Sequence, residues 1–184
     1  VIECVDKYNS ERVAIKIIRN IPKYRDAAKI ELRILLTLKK FDQSNTNHCI
    51  HLKECFDYRG HICIVTDLLR ISLYDFLERN KFILFPGLHI QAILKQLIRL
   101  ITFLHDLLLI HTDLKPENII LHDDLYRKRP LSLHTIRLSY DLLKKTLKKF
   151  STYLKVLNDP SIAIIDFGSA IFNYEYHLLI VATR

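Results

Sequence analysis

The N-terminal third of the chain shows two hydrophobic periods in succession. Val1–Val5 and Arg12–Ile18 are short runs rich in β-branched residues on either side of a polar turn, and they predict a hairpin. Between Tyr24 and Lys40 the apolar residues recur at helical spacing, which predicts an amphipathic helix. Two further strands are predicted, one near Ile50–Tyr58 and one at His61–Asp67.

The remainder of the chain changes to helical patterns. Ser72 is suited to cap a short helix, and His89–Leu109 is a long apolar segment at helical spacing. We expect the buried side of that long helix to consist of Ile90, Ile93, Leu94, Leu97, Ile101, Leu104 and Leu108. This order of elements predicts an α+β protein with a small β-rich lobe over 1–66, a hinge at 67–71 and a helical lobe over 72–184.

Positive charge is concentrated in one late segment. The chain of 184 residues carries a net charge of +8, and the segment of about 122–161 contributes +5 through nine Lys/Arg and four Asp/Glu. Its apolar residues from Leu143 to Leu157 are spaced along one helical face, which predicts a basic amphipathic helix over 135–157. Three interpretations stay open: a helix packed on the lobe with a solvated basic face, a docking element for an acidic partner or nucleic acid, and a translated non-coding segment.

The overall composition is that of an ordinary globular protein. Hydrophobic residues make up 49% and charged residues 26%, which excludes a disordered chain. The most apolar stretch, Leu97–Ile110, contains Arg99, His105 and Asp106. It is shorter than the roughly 20 residues that a membrane-spanning helix requires, so we expect no membrane partner.

Four features of the sequence carry chemistry. The stretch HTDLKPENIIL, His111–Leu121, contains an Asp and an Asn five positions apart, and Asp166–Gly168 (DFG) follows an apolar strand. The VAIK sequence ends at Lys16 on a predicted strand, and Glu31 lies in the helix that follows. These features occur in the order of the protein-kinase signature set, so the chain resembles a protein kinase.

The resemblance to protein kinases implies a role for each polar group of the signature. Phosphoryl transfer depends on positioning and on neutralising charge. Lys16 is expected to bind the α and β phosphates of ATP, with Glu31 holding Lys16 in place by an ion pair. Asp166 and Asn118 are expected to ligate Mg²⁺, because hard cations prefer oxygen ligands. The alternative for Lys16 and Glu31 is an ordinary surface ion pair.

Two residues of the HTDLKPEN stretch are expected to act on the reacting groups. Asp113 is expected to accept or orient the proton of the substrate hydroxyl. Lys115, two positions later, is expected to neutralise the γ-phosphate of ATP. Both assignments follow from the match to the kinase motif.

Several longer stretches resemble one kinase family more closely. They are HTDLKPEN with Thr112 in place of the usual Arg, GHICIVTDLL at Gly60–Leu69, YDFL at Tyr74–Leu77, and DFGSAIFNYEYHLLIVATR at Asp166–Arg184. These stretches are similar to the LAMMER-type dual-specificity kinases, also called the CLK family. The resemblance implies the bilobal kinase fold, ATP and Mg²⁺, and Ser/Thr transfer with Tyr autophosphorylation. It also implies serine/arginine-rich splicing factors as substrates and a nuclear location, possibly with a cytoplasmic pool.

The resemblance also assigns an adenine pocket by position. Thr66 corresponds to the gatekeeper, so the pocket behind adenine is expected to be open to larger inhibitors. Thr112 carries no cation, so activity is not expected to need a loop phosphate paired at this position. The hinge and the apolar walls of the pocket correspond to Asp67, Leu68 and Leu69, and to Val1, Ala14 and Ile120. Plain core packing is the alternative role for these residues.

The ends of the chain limit what the resemblance covers. Val1 aligns with the last residue of the glycine-rich phosphate loop, and Arg184 lies inside the activation segment. The resemblance therefore implies a kinase domain truncated at both ends. The alternative function is a catalytically inactive kinase fragment that acts as a binding module.

Overall fold

The computed structural model of the protein describes residues 1–130 and 153–174. The chain divides into two compact units. The first unit comprises 1–68, 97–114 and the described part of 165–184, and the second comprises 69–96 and the described part of 115–164. The lobe boundaries expected from the sequence, 1–66, 67–71 and 72–184, stay a prediction.

The first unit is built on a four-stranded antiparallel sheet. Its strands are β1 (Ile2–Val5), β2 (Arg12–Ile17), β3 (Leu52–Tyr58) and β4 (His61–Asp67), in the order β1-β2-β4-β3. The central strand β4 is buried over Ile62–Val65, which matches its continuous run of apolar residues. The turn between β3 and β4 has two residues with positive φ, Arg59 at 51° and Gly60 at 83°, as a type I′ hairpin turn requires. All four strands lie where the hydrophobic pattern predicts them.

One long helix, α1 (Pro22–Phe41), packs against this sheet. It begins with Pro at its first turn, where the missing N–H is not needed for an intrahelical bond. Its buried residues are Ala28, Glu31, Ile34, Leu35 and Leu38. Four of these five are apolar, so the buried carboxylate of Glu31 requires a partner.

A buried aspartate closes the C-terminal end of α1. Asp42 is 4% exposed and accepts the backbone N–H groups of Thr46 and Asn47, both at 2.9 Å. Burial raises the pKa of Asp42, but the hydrogen bonds from Asn47 and Thr46 outweigh it, and the net pKa is lowered. Burial, assisted by the Asp42 charge, raises the pKa of the nearby Cys49 thiol to about 12. The loop after α1 is thus organised around one ionised carboxylate.

The second unit contains a short capped helix and two strand pairs. Ser72 and Asp75 form the capping box of α2 (Leu73–Arg79), as the sequence predicts for Ser72. Strand β6 (Ile119–Leu121) pairs with β9 (Ile162–Ile164), and β7 (Tyr126–Pro130) pairs with β8 (Tyr153–Leu157). The remaining pair, β5 (Leu109–Ile110) with β10 (Ile171–Phe172), belongs to the first unit.

Strand β8 corrects the basic helix predicted over 135–157. The last five residues of that predicted helix, Tyr153–Leu157, form a strand antiparallel to β7. The prediction was wrong there because Leu154 and Leu157 continue the helical spacing, whereas strand pairing buries the neighbours Val156 and Leu157 together. The rest of the predicted helix, 135–152, lies outside the described residues.

The long helix α3 (Gly87–Asp106) buries a narrower stripe than its sequence predicts. Ile93, Leu100 and Leu104 are buried, as expected for Ile93 and Leu104. Of the other residues expected there, Leu97 and Ile101 are half-buried, whereas Ile90, Leu94 and Leu108 are 41%, 50% and 53% exposed. Helical spacing alone did not distinguish the buried apolar residues of α3 from its exposed ones, because α3 is apolar around much of its circumference.

The same helix qualifies as a membrane span on length and composition. Helix α3, with 20 residues, is long and apolar enough to cross a membrane, which corrects the expectation that the apolar stretch in this region is too short. Core helices meet the same two criteria, so the observation by itself is weak support for a membrane location.

Candidate functional site: the Lys16–Glu31–Asp166 cluster

Strand β2 and helix α1 bring the predicted Lys–Glu pair together. The Lys16 Nζ lies 2.7 Å from Glu31 Oε1 and 2.9 Å from Glu31 Oε2. The Glu31 side chain is 9% exposed and that of Lys16 is 35% exposed. A surface ion pair, the alternative that the sequence left open, does not describe this geometry, because the carboxylate is buried and both its oxygens face one ammonium group.

The aspartate of the DFG sequence completes the cluster. Asp166 Oδ1 lies 3.5 Å from Lys16 Nζ, and the Asp166 side chain is 48% exposed. Its backbone is left-handed, with φ at 64°, which costs about 1 kcal/mol for a residue with a Cβ. A short 3₁₀ turn, Phe167–Ser169, follows it, and Phe167 is fully buried. The buried ring therefore anchors the turn that keeps Asp166 in this conformation.

A buried histidine connects the HTD segment to the DFG segment. The His111 Nε2 lies 3.0 Å from the Ile165 carbonyl oxygen, and its ring makes an edge contact with Phe167 at 4.9 Å between centroids. The Asp113 backbone N–H donates to His111 Nδ1 at 3.4 Å. These partners assign a neutral imidazole with its proton on Nε2, since that nitrogen faces an acceptor and Nδ1 faces a donor. One ring thus holds the Asp113 backbone and the residue before Asp166.

Thr112 forms a second connection between the same two segments. Its hydroxyl donates to the Ser169 carbonyl oxygen at 2.9 Å, and its φ is 65°, a rare conformation for a β-branched residue. Strands β5 and β10 continue the connection, with Ile110 opposite Ile171. The residue that replaces the usual Arg therefore joins the two segments directly. No pattern in the sequence indicated this bond, because its acceptor is a backbone carbonyl.

The end of β4 carries the residues assigned to the adenine pocket. Thr66 lies opposite Ala14 of β2, so these two proposed pocket residues share one face of the sheet. Asp67 Oδ1 lies 3.0 Å from Lys53 Nζ, which also contacts Glu11 at 2.6 Å. The pKa of Lys53 is raised, chiefly by the hydrogen bond to Glu11. Lys53 sits at a register shift in β3, a feature that the sequence pattern did not reveal.

For the other predicted site residues the structure gives their burial and the unit to which they belong. Val1 precedes β1 and is 87% exposed, and Leu68 follows β4 in the first unit. Asn118 is 6% exposed and ends a 3₁₀ turn in the second unit. The predicted residues of the second unit are Leu69, Lys115, Asn118 and Ile120. Within the first unit the structure joins Lys16, Glu31 and Asp166, and it holds Asp113 through His111.

The family comparison agrees with this geometry. The family model of the protein kinase domain matches residues 1–177. The chain belongs to the protein kinase domain family. The α+β kinase fold predicted from the sequence is thereby confirmed.

The curated relatives of this kinase domain include dual-specificity protein kinases. Dual specificity protein kinase KNS1 of Saccharomyces cerevisiae is 50% identical over 185 aligned residues, which are 100% of this chain and 25% of the relative. Dual specificity protein kinase CLK2 of Homo sapiens is 38% identical, over 100% of this chain and 34% of the relative. The chain thus spans about a quarter to a third of these proteins. The resemblance to the LAMMER-type, or CLK, kinases is confirmed.

A solved structure supports the same assignment. The kinase domain of PF14_0431 superposes with a TM-score of 0.78 at 30% identity, over 95% of this chain and 48% of that one. The kinase domain described here therefore has the fold of a known kinase as well as the signature residues.

Proposed function

We propose that the protein containing this kinase domain transfers the γ-phosphoryl group of ATP to Ser and Thr of proteins, and to its own Tyr. The observation that supports this most directly is the buried Lys16–Glu31 pair at 2.7 Å with Asp166 at 3.5 Å from the same ammonium group. Kinases need this ion pair and the DFG carboxylate in place together.

The residues of the cluster suit ATP and Mg²⁺. One ammonium and two carboxylates leave a local charge of about −1, and half-exposed Asp166 offers the oxygen ligand that Mg²⁺ prefers. When bound, Mg²⁺ supplies neutralisation of the phosphate charges. Asp166 and Asn118 would hold the metal. Lys16 would bind phosphate oxygens, and Glu31 would hold the Lys16 ammonium group in position through their ion pair.

The HTDLKPEN segment would supply the groups that act on the substrate. The Asp113 backbone N–H contacts the His111 ring, and the Asp113 side chain would orient the substrate hydroxyl and accept its proton. Lys115 would neutralise charge on the γ-phosphate. The adenine would lie against Ala14, Thr66, Val1 and Ile120, with the backbone of Asp67–Leu69 as its hydrogen-bonding partner.

The proposal extends to the substrate class and location. Serine/arginine-rich splicing factors and a nuclear location follow from the resemblance to the CLK kinases. Phosphorylation of an Arg-Ser repeat peptide, compared with a peptide of Lys-Ser repeats, tests the substrate. Microscopy of the tagged protein tests the location. Equal rates on the two peptides, or exclusion from the nucleus, would contradict these points.

Site-directed variants test the catalytic assignment. Lys16→Met and Asp166→Asn in the full protein are each expected to lower phosphoryl transfer about 100-fold or more, since both remove charge stabilisation from the transferring group. Lys23→Met, on the exposed face of α1, is the matched control. An Mg-ATP-dependent rise in the unfolding temperature distinguishes an ATP-binding kinase from an inactive binding module. Unchanged activity in Lys16→Met would overturn the proposal.

A further inference from the structure

A basic cavity lies in the second unit, where the C-terminal end of α2 meets the hairpin of β7 and β8. Its volume is about 200 Å³. Of the six lining residues that the structure describes, four are Lys or Arg and none is acidic. The lining consists of Arg79, Asn80, Lys81, Lys128, Tyr153 and Lys155.

Two lysines of the cavity face each other across the hairpin. Lys128 of β7 is directly opposite Lys155 of β8 in the strand register. Like charges at directly opposite positions destabilise a strand pair. Among the residues that the structure describes, no carboxylate forms an ion pair with either ammonium group. The Lys155 Nζ instead contacts the Arg79 carbonyl oxygen at 3.4 Å and the Tyr126 ring. An anion between the two lysines would relieve their repulsion.

Asn80 adds a directed hydrogen-bond donor to this charge. It is 4% exposed, and its Oδ1 accepts the Lys155 backbone N–H at 3.4 Å, which sets the orientation of the amide. Its Nδ2 is buried and has no acceptor within the described part of the chain. A buried donor without an acceptor is costly, so a ligand oxygen that accepted from this amide would stabilise it.

We propose that this cavity binds a phosphate monoester carried by a protein, such as a phosphoserine side chain. The cavity is smaller than the roughly 300–1,000 Å³ typical of pockets for organic ligands, whereas a phosphate with its first waters suits its size. Lysines bind phosphate as point charges, and an amide N–H adds direction. The site makes the kinase domain a reader of phosphorylated protein segments, independently of its own transfer reaction.

The strand register separates this site from general attraction of polyanions. Arg127 and Arg129 lie on the face of β7 opposite to Lys128, because successive side chains of a strand alternate. A nucleic acid attracted by charge would use both faces of the hairpin. A phosphoserine in the cavity uses only the face with Lys128 and Asn80.

The test measures binding of a fluorescent phosphoserine peptide to the full protein by anisotropy at physiological salt. Asn80→Asp is nearly isosteric and replaces the donor with a negative charge, and we expect it to weaken binding about tenfold or more. Lys128→Gln is expected to weaken binding about fivefold, as a lost charge-assisted contact would. Arg127→Gln removes the same charge from the opposite face and should change binding less than about twofold. Thermal unfolding checks that each variant is folded.

Three results would overturn the proposal. Equal losses in Lys128→Gln and Arg127→Gln would indicate general charge attraction, as would displacement of the peptide by a single-stranded oligonucleotide at lower concentration than by phosphopeptide. Inorganic phosphate binding as tightly as the peptide would indicate a free anion rather than a protein segment. If Asn80→Asp fails to fold, Lys128→Gln decides, since Lys128 is exposed. We expect competition by unlabelled phosphopeptide and none by its unphosphorylated form.

Discussion

Replacing Asp42 by Asn tests whether one buried carboxylate organises the end of α1. The carboxylate accepts two backbone N–H groups at 2.9 Å and the Thr46 hydroxyl at 3.2 Å. Asparagine keeps one acceptor oxygen but turns its amide N–H toward the other backbone donor. Loss of one charge-assisted bond and the orphaned N–H are expected to lower the free energy of unfolding by about 2–3 kcal/mol at pH 7.

The pH dependence of that loss gives the reasoning a second check. The folded-state pKa of Asp42 is lowered below its ordinary value of 3.8, so the stabilisation is fully present above pH 3.8 and is lost as pH falls through the folded-state pKa. The difference in unfolding free energy between the wild type and Asp42→Asn should therefore shrink below pH 3.8. Urea unfolding followed by circular dichroism at several pH values measures it.

A surface carboxylate of the same helix supplies the control. Asp26 is 69% exposed and pairs with Lys29 one turn later, so Asp26→Asn is expected to change stability by less than about 0.5 kcal/mol. A loss as small for Asp42→Asn, or a loss that does not change with pH, would refute the account of the buried carboxylate.

Three further substitutions probe the site and the sheet. Glu31→Gln should lower kcat/KM for ATP about tenfold through loss of the Lys16 pair, with Glu54→Gln of β3 as an exposed control; equal effects would contradict a specific role. Thr66→Phe should weaken inhibitors that extend behind adenine and spare small ones, as measured by calorimetry; unchanged affinity for the larger ones would contradict an open pocket. Gly60→Ala should lower the unfolding temperature by an amount equivalent to about 1–2 kcal/mol, because φ is +83° and the added Cβ would crowd the Asn20 side chain. Gly87→Ala is the control, because a Cβ there meets no described atom within 4 Å, and it should leave the unfolding temperature unchanged.

Local periodicity predicted the elements whose own residues show a regular hydrophobic pattern. Strand alternation predicted β1–β4, and helical spacing predicted α1 and the segment that forms α3. The β7–β8 pair was not predicted because β7, Tyr126–Pro130, is mostly polar and because Tyr153–Leu157 continue a helical spacing of leucines. Cross-strand burial of Val156 and Leu157 decides that segment, and it depends on a partner that periodicity cannot identify.

In the candidate site, the sequence predicted the functional side chains but not the backbone bonds that position them. The resemblance to protein kinases predicted the Lys16–Glu31 ion pair and assigned Asp166 to the metal at the same ATP. The bonds that join the HTD segment to the DFG segment use backbone carbonyls, that of Ile165 for His111 and that of Ser169 for Thr112. A carbonyl is present at every residue, so a sequence gives no signal of which one accepts. Chemistry-bearing side chains can therefore be found from motifs, whereas the bonds that fix their geometry emerge only from the folded backbone.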